Sequence, residues 1–471
     1  MFDIRKAVLA AVTAAGLSAA LPAAAQAPAP SAGVQDQHLV ECPSRPYRWL
    51  EDCSNLATSD LNGLSRLRYM TWRGDQRFWL TLGGEARTRM DLLHDIDFGI
   101  GGQPGYTEIS GRLLVHGDLR ARAGPRAFVQ LGIVQETGRK PGPRAQDESQ
   151  VDVTQAFVDL PVQLGAARVV ARLGRQETDL TGNRLLSTRD GSTLRRTFQG
   201  VKIDILAGGA KIALLDARPT ELRDDAFADR PDPEETFRAV SVDLPRVAVP
   251  GGGTLNLFAF DRHRTDARWL HAQGREHRQT FGFHYAGQID GWAVDVQPAW
   301  QRGRVQGLPV RAYGVAVQLD RDLGGPYRNA IGVSFVAASG DKGKTRRIET
   351  FDPTYPNNGG LSDAPLFYQT NYVFGGGDIS AFWRGVTWTA SGNLLVRHSL
   401  DDGVYANGRP VNAAFGHERL TSLLSQISAR KTWRTRYEIY ASLTHADALG
   451  AIAAVGGHDA FYSRVQLTAR F

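Results

Sequence analysis

The chain has 471 residues, with 55 basic and 49 acidic side chains and a formal net charge of +6. The basic residues are spread along the whole length and interleaved with acids, which argues against a nucleic-acid-binding surface. Beyond residue 25 no run approaches the ~18 consecutive apolar residues of a membrane-spanning helix, so a membrane form of this chain would have to cross with strands.

Residues 1–25 begin with the basic pair Arg5 and Lys6, continue through the apolar stretch Ala7 to Leu21, and end on Ala23-Ala24-Ala25. That order is a secretory signal peptide, and the mature chain is expected to start at Gln26. Residues 26–77 are expected to form a periplasmic lead, opening with an Ala/Pro-rich stretch. Cys42 and Cys53 are the only cysteines. In an exported chain they read as a disulfide across the lead, because a metal site would need more ligands than this segment offers.

From residue 78 onward the chain alternates. In the first strand Leu80, Leu82, Ala86 and Met90 share one face, and Thr81, Glu85, Arg87 and Arg89 the other. In the second, Leu113, Val115, Leu119 and Ala121 oppose Arg112, His116, Asp118, Arg120 and Arg122. Period-two alternation means strands. Further strands are predicted from near 129, then at 152–160, 167–177, 198–206, 211–218, 236–244, 254–262, 279–289, 291–303, 310–320, 329–338, 378–384, 386–398, 419–430, 434–446 and 461–471. Loops are expected at 138–150 and 339–360. The run from Arg262 to Arg278 reads as a charged hairpin loop facing solvent. Aromatics gather near strand ends, among them Trp72, Phe78, Trp79, Trp300, Trp383, Trp388, Trp433, Tyr437 and Tyr440, as an interfacial girdle requires. The last strand ends on an aromatic, Phe471, and looks like the C-terminal strand of bacterial outer-membrane proteins. The fold class expected is therefore all-β: a transmembrane antiparallel β-barrel of about 18 strands over residues 78–471, in the outer membrane of a Gram-negative bacterium.

Four blocks carry a family resemblance. They are the segment 47–85, YRWLEDCSNL…LRYMTWRGDQRFWLTLGGE, then GGEARTR (83–89), GRQE-x5-NRL-x3-RDG-x3-RRTFQGVKI (174–203) and SGD-x8-TFDP-x-YP (339–356). Together they resemble the alginate-export family of outer-membrane porins. The resemblance implies an 18-stranded barrel whose arginine-lined pore passes a secreted anionic polysaccharide. It implies no catalysis and no cofactor. The partners it suggests are the anionic polymer or another anion, the lipid and lipopolysaccharide of the outer membrane, and periplasmic secretion proteins, with no nucleic acid.

The residues expected to line the pore and meet substrate are Arg87, Arg89, Arg112, Arg120, Arg122, Arg168 and Arg172. Lys202 and the loop arginines Arg175, Arg184 and Arg189 join them, with Glu85, Asp118, Asp159 and Asp204 on the same inward faces. Fixed guanidinium groups around a constriction attract anions and disfavour cations. A ladder of separate arginines, interrupted by carboxylates, would pass a polyuronate hand to hand. The plainer expectation is that these charges pair across neighbouring strands. The rival functions are an uptake porin for small anions and a barrel enzyme with a Ser–His or Asp–His pair near the rim. Ala338 to Thr345 fits a relaxed phosphate-loop pattern, but prolines and asparagines follow where a helix would be needed. The histidines (His94, His116, His263, His271, His277 and His284 among them) show no HExxH motif and no compact ligand spacing.

Overall fold

The computed structural model describes Cys42, Arg45 and residues 47–471, apart from 60, 62, 101, 103, 104, 141, 247, 248, 344, 345, 358–361, 407 and 412. The expected signal peptide lies outside the described residues. The chain forms a closed antiparallel barrel of 18 strands. In chain order these are β1 Asp75–His94, β2 Tyr106–Ala121, β3 Arg126–Thr137, β4 Ser149–Leu164, β5 Ala167–Gln176, β6 Phe198–Ala207, β7 Ala210–Glu221, β8 Glu235–Leu244 and β9 Thr254–Trp269. They continue as β10 Ala272–Ile289, β11 Trp292–Val305, β12 Leu308–Gly324, β13 Asn329–Ala338, β14 Tyr372–Trp383, β15 Val386–Arg397, β16 Leu420–Trp433, β17 Tyr437–Ala448 and β18 Ala460–Arg470. Each strand pairs with the next, and β18 closes on β1 through a register running from Glu85↔Arg470 to His94↔Phe461. Beyond the strand, the Gly84 amide donates to the Phe471 carbonyl at 2.7 Å, which ties the chain end into the seam.

The alternation places every other side chain in the barrel interior, and burial runs opposite to that of a soluble protein. Leu113 is 41% exposed while its neighbour Arg112 is 3% exposed. Met90, Val115, Leu119, Val129, Leu131 and Ile133 are likewise exposed, and Glu85, Arg87, Arg89 and Asp118 buried. An apolar outer face and a charged inner one is the arrangement of a barrel solvated by lipid. Among the described residues no helix is long and apolar enough to cross a membrane.

The two ends of the barrel differ. One carries tight turns, such as Gly208-Gly209 and Asp290-Gly291, in which both residues have positive φ (57° and 80°; 49° and 80°). That is the twist-matched two-residue hairpin, and it demands residues that tolerate the left-handed region. Short turns mark the periplasmic end of such barrels. The other end carries long connections, including 177–197, 339–371 and 398–419. Exposed Trp72, Phe78, Trp383, Trp388, Trp433 and Tyr437 lie by the periplasmic turns, and exposed Trp300 and Tyr313 lie nearer the extracellular end.

Several expectations change. The 261–278 region is no loop. It belongs to β9 and β10, which pair across Asp261↔Gln279, Arg262↔Arg278 and His263↔His277. Charges on both faces suggested solvent, but these strands rise past the lipid belt, where an outward charge meets headgroups and an inward one the packed interior. β14 begins at Tyr372, so the loop before it is longer than 339–360. Two girdle candidates point inward. Trp79 shares the face of its register partner Arg120 and stacks on Tyr69 with ring centroids 5.7 Å apart. Tyr440 donates its hydroxyl to Asp363 at 2.5 Å.

Candidate functional site

Several segments lie inside the strands, among them two loops and the lead, with loop 398–419 packed on loop 339–371 through Asp402 and Thr350. Loop 177–197 folds inward from β5. Loop 339–371 folds inward from β13. From the periplasmic end the lead packs against loop 177–197, stapled by the Cys42–Cys53 disulfide with Cα atoms 4.8 Å apart. The two loops pair in parallel at Leu186↔Tyr355. A shared apolar core, with Leu180, Leu185, Leu186, Phe198, Phe237 and Tyr355 among its members, lies inside the barrel.

Five of the ten expected arginines, Arg87, Arg89, Arg112, Arg120 and Arg172, contact these segments. Arg87 donates to the Asp190 carbonyl at 2.8 Å and also to the Ser192 carbonyl. Arg89 donates to the Gly191 carbonyl at 2.7 Å, and Arg112 to the Thr193 carbonyl at 3.0 Å. Arg112 also pairs with Glu85, and Glu85 in turn faces Arg195 and Arg470, each at 3.5 Å. Asp190 receives Arg195 at 2.6 Å and Arg112 at 3.1 Å. Burial would raise the Asp190 carboxyl, but the guanidiniums of Arg195, Arg112 and Arg87 outweigh it and hold the group well below the ordinary carboxylate range. The Asp190 side chain is still 49% exposed, so it borders water-accessible space within this ring of cations. The physical reason for the tethering is general: an irregular loop in a barrel must satisfy its carbonyls, and arginine offers five donors for them.

A second tier lies nearer the periplasm. Arg172 makes a bidentate pair with Asp159 at 2.7 and 2.8 Å and stacks on Phe157 and Trp49, at 3.8 and 5.0 Å from the ring centroids. Asp118 takes Arg120 at 3.0 Å and Arg126 at 2.8 Å. Arg120 also reaches Asp52 and the Glu51 carbonyl of the lead. Trp49 donates to Glu177 at 3.0 Å and Thr188 to the Tyr47 hydroxyl at 3.0 Å, so the lead touches loop 177–197 directly.

The remaining expected residues scatter. Lys202 pairs with Asp204 at 2.6 Å on β6. Arg184 is half-buried and faces Asp295 at 3.4 Å. Arg175 is a strand residue at the end of β5, not a loop arginine, and pairs with Asp152 at 3.2 Å. Arg168 is exposed near the 165–166 turn, and Arg122 lies past the end of β2 in a turn, exposed.

Sequence reasoning missed a second clamp. Arg262 pairs with Glu235 at 2.7 Å and Asp352 at 3.0 Å, and Arg264 reaches Glu276 and Asp352 at 2.5 and 3.1 Å. Arg278 donates to Gln301 at 2.7 Å and to the Thr350 carbonyl at 2.9 Å. These groups fix loop 339–371 to β8–β11. The signal was present in their even numbering along β9 and β10, which the loop assignment hid.

Two of the four arginines on loop 177–197 differ from Arg184 and Arg195. Among the described ion pairs, Arg189 and Arg196 have no carboxylate. Arg196 donates to the Ser187 carbonyl at 3.1 Å and lies over the Tyr355 ring at 5.0 Å. Burial, reinforced by the charge of Arg189, brings the Arg196 guanidinium down to about 10. Two cations without a direct carboxylate partner thus lie near each other on the inner loop.

A lipid-facing closed barrel with an arginine-rich interior defines an outer-membrane porin-type channel, placed in the outer membrane of a Gram-negative bacterium. The sequence matches the alginate export family model over residues 78–371, and the chain belongs to that family. No curated protein matches it. Among solved structures it is similar to a BenF-like porin from Pseudomonas fluorescens Pf-5, at TM-score 0.57 and 10% identity, covering 83% of this chain and 98% of that one. It is also similar to Pseudomonas aeruginosa OccK2 (OpdF) in complex with glucuronate, at TM-score 0.52 and 12% identity over 83% and 98% of the two chains. Pseudomonas aeruginosa OpdK with vanillate matches at TM-score 0.53 and 9% identity over the same shares.

Proposed function

We propose that this channel exports an acidic polysaccharide of the alginate type by passive, electrostatically guided diffusion. The observation that carries the reading is the pair Arg189 and Arg196. Every other cation placed on loop 177–197 is offset by a carboxylate, so these two set the local field, and a uronate carboxylate is the group that a guanidinium fork fits best. An exposed and ionised Asp190 close by keeps the site from holding an anion too tightly, and weak holding is what conduction needs. Membership of the alginate export family supports the polymer.

The crowding of the interior favours a second reading, uptake of small carboxylates. A lumen narrowed by two inserted loops and the lead suits a single small acid better than a polymer, unless the loops move. Glucuronate bound to a fold neighbour is consistent with either reading.

The test is single-channel recording in a planar bilayer under a salt gradient, with oligouronate or monomeric glucuronate added to either side. Export predicts an anion-selective reversal potential and block by oligouronate at lower concentration than by monomer. Block by glucuronate alone would favour uptake. A channel indifferent to both acids would sink the uronate reading altogether.

A further inference from the structure

The outer wall of β9–β12 is layered by the register. One row reads Ala259, Phe281, Trp300 and Tyr313 across the four strands. The aromatic members are all exposed, which marks the edge of the hydrocarbon. The next row toward the extracellular end reads Asp261, Gln279, Arg302 and Arg311, and the one beyond it His263, His277 and Arg304. Charge therefore begins one row past the aromatics, at the level of the headgroups.

Within these rows three ligating side chains converge. His263 and His277 are direct cross-strand partners, and their rings stack nearly parallel, 3.9 Å between centroids and 10° between planes. The Nε2 of His263 lies 3.0 Å from one oxygen of Asp261, and the Nε2 of His277 lies 2.9 Å from the other. The ligand atoms of all three lie within 4.8 Å of one another. Two ligands on one tetrahedral zinc, each about 2.0–2.2 Å from the metal, are separated by roughly 3.3–3.6 Å, so a small turn of the side chains would let the three share a cation. Gln279 donates to Asp261 at 2.9 Å and accepts from Arg302 at 2.9 Å, an outer support that orients the carboxylate as metal sites require. His263 and His277 are 51% and 43% exposed, which leaves a coordination position open to water or to an anionic headgroup. The linear sequence showed no ligand cluster, because residues 263 and 277 meet only when the hairpin pairs.

We propose that Asp261, His263 and His277 form a divalent transition-metal site on the outer wall, fastening β9 to β10 just outside the lipid belt. Two imidazoles and one carboxylate select a borderline ion such as zinc over magnesium or calcium, which prefer all-oxygen sets. The site is separate from the channel interior and does not depend on what the channel carries.

The test uses the tag-free mature protein in detergent, stripped with a chelator and titrated with zinc by calorimetry. Cupric ion serves as a spectroscopic probe. The wild type should bind one zinc, resist competition by magnesium, and give cupric nitrogen splitting from two imidazoles. H263A and H277A should each weaken zinc binding by at least about tenfold. H445A should leave it unchanged, which separates this site from the looser rim group His445, Asp447 and Asp459. Heat-modifiable gel mobility confirms that each variant is folded. Absence of stoichiometric binding in the wild type, or equal binding in the folded H263A and H277A variants, would overturn the proposal and leave a hydrogen-bonded trio only.

Discussion

Leu186 and Tyr355 form a parallel bridge inside the barrel although 169 positions separate them in sequence. The Ser187 amide donates to the Tyr355 carbonyl at 3.0 Å, and the Tyr355 amide donates to the Leu185 carbonyl at 3.0 Å. Around this bridge the four blocks that carry the family resemblance converge. The lead reaches it through Tyr47 and Trp49, β1 holds loop 177–197 through Arg87 and Arg89, and the TFDPTYP segment is the bridge's other half. A family signature of this kind is the footprint of one interior assembly.

Tyr355 is the side chain on which that assembly turns. Its ring meets Phe237 at 4.9 Å, Phe198 at 5.1 Å and Arg262 at 4.7 Å, and its hydroxyl donates to Glu235. Tyr355→Ala should loosen both loops by roughly 3–5 kcal/mol, the usual effect of deleting a buried aromatic, while the barrel still closes. Bilayer recordings should show larger and noisier unitary currents. Currents identical to wild type would mean that the bridge does not restrict the path.

Arg189 and Arg196 should govern selectivity. Replacing both by Ala should move the reversal potential in a salt gradient toward the cation side, and replacing both by Lys should keep its sign. Arg112→Ala should act differently: it frees loop carbonyls and changes conductance and noise more than selectivity. If the double Ala variant keeps full anion selectivity, the field originates elsewhere in the lumen.

Glu85 is buried among Arg112, Arg195 and Arg470. Glu85→Gln keeps the shape and removes the charge, leaving those guanidiniums without their shared carboxylate. A cost of roughly 3–5 kcal/mol is expected for breaking such a buried network from one side. Urea unfolding followed by gel mobility should show a clear drop in midpoint.

The wall gives the opposite test. Leu113 lies mid-strand and faces lipid, directly beside inward Arg112. Leu113→Arg should cost about 2–4 kcal/mol, as a charge at the membrane midplane does. An unaffected unfolding midpoint would mean that this face is not solvated by hydrocarbon.

Trp49 joins the lead to the barrel through Glu177 and the Arg172 stack. Trp49→Ala should speed proteolytic cleavage between residues 42 and 74 without unfolding the strands. Cleavage as slow as in the wild type would show that the lead's other contacts, through Tyr47, Arg68, Arg120 and Arg126, suffice to hold it.

The sequence by itself determined the barrel. Strict alternation of Leu, Val and Ile against Arg, Asp and Thr can satisfy lipid on one side only if the sheet closes, because an open edge in a membrane leaves backbone groups unpaired. Which residues face inward was legible from parity alone, as Glu85, Arg87, Arg89 and Arg112 show. Parity carries no information about what fills the interior. Whether Arg112 meets water, a substrate or the Thr193 carbonyl depends on where loop 177–197 folds. That in turn depends on Tyr355, far along the chain, and on carbonyls whose need for donors no pattern of side chains reveals. Only the tertiary structure could decide that Arg87, Arg89, Arg112 and Arg120 hold inserted segments, and that Arg189 and Arg196 have no direct carboxylate partner.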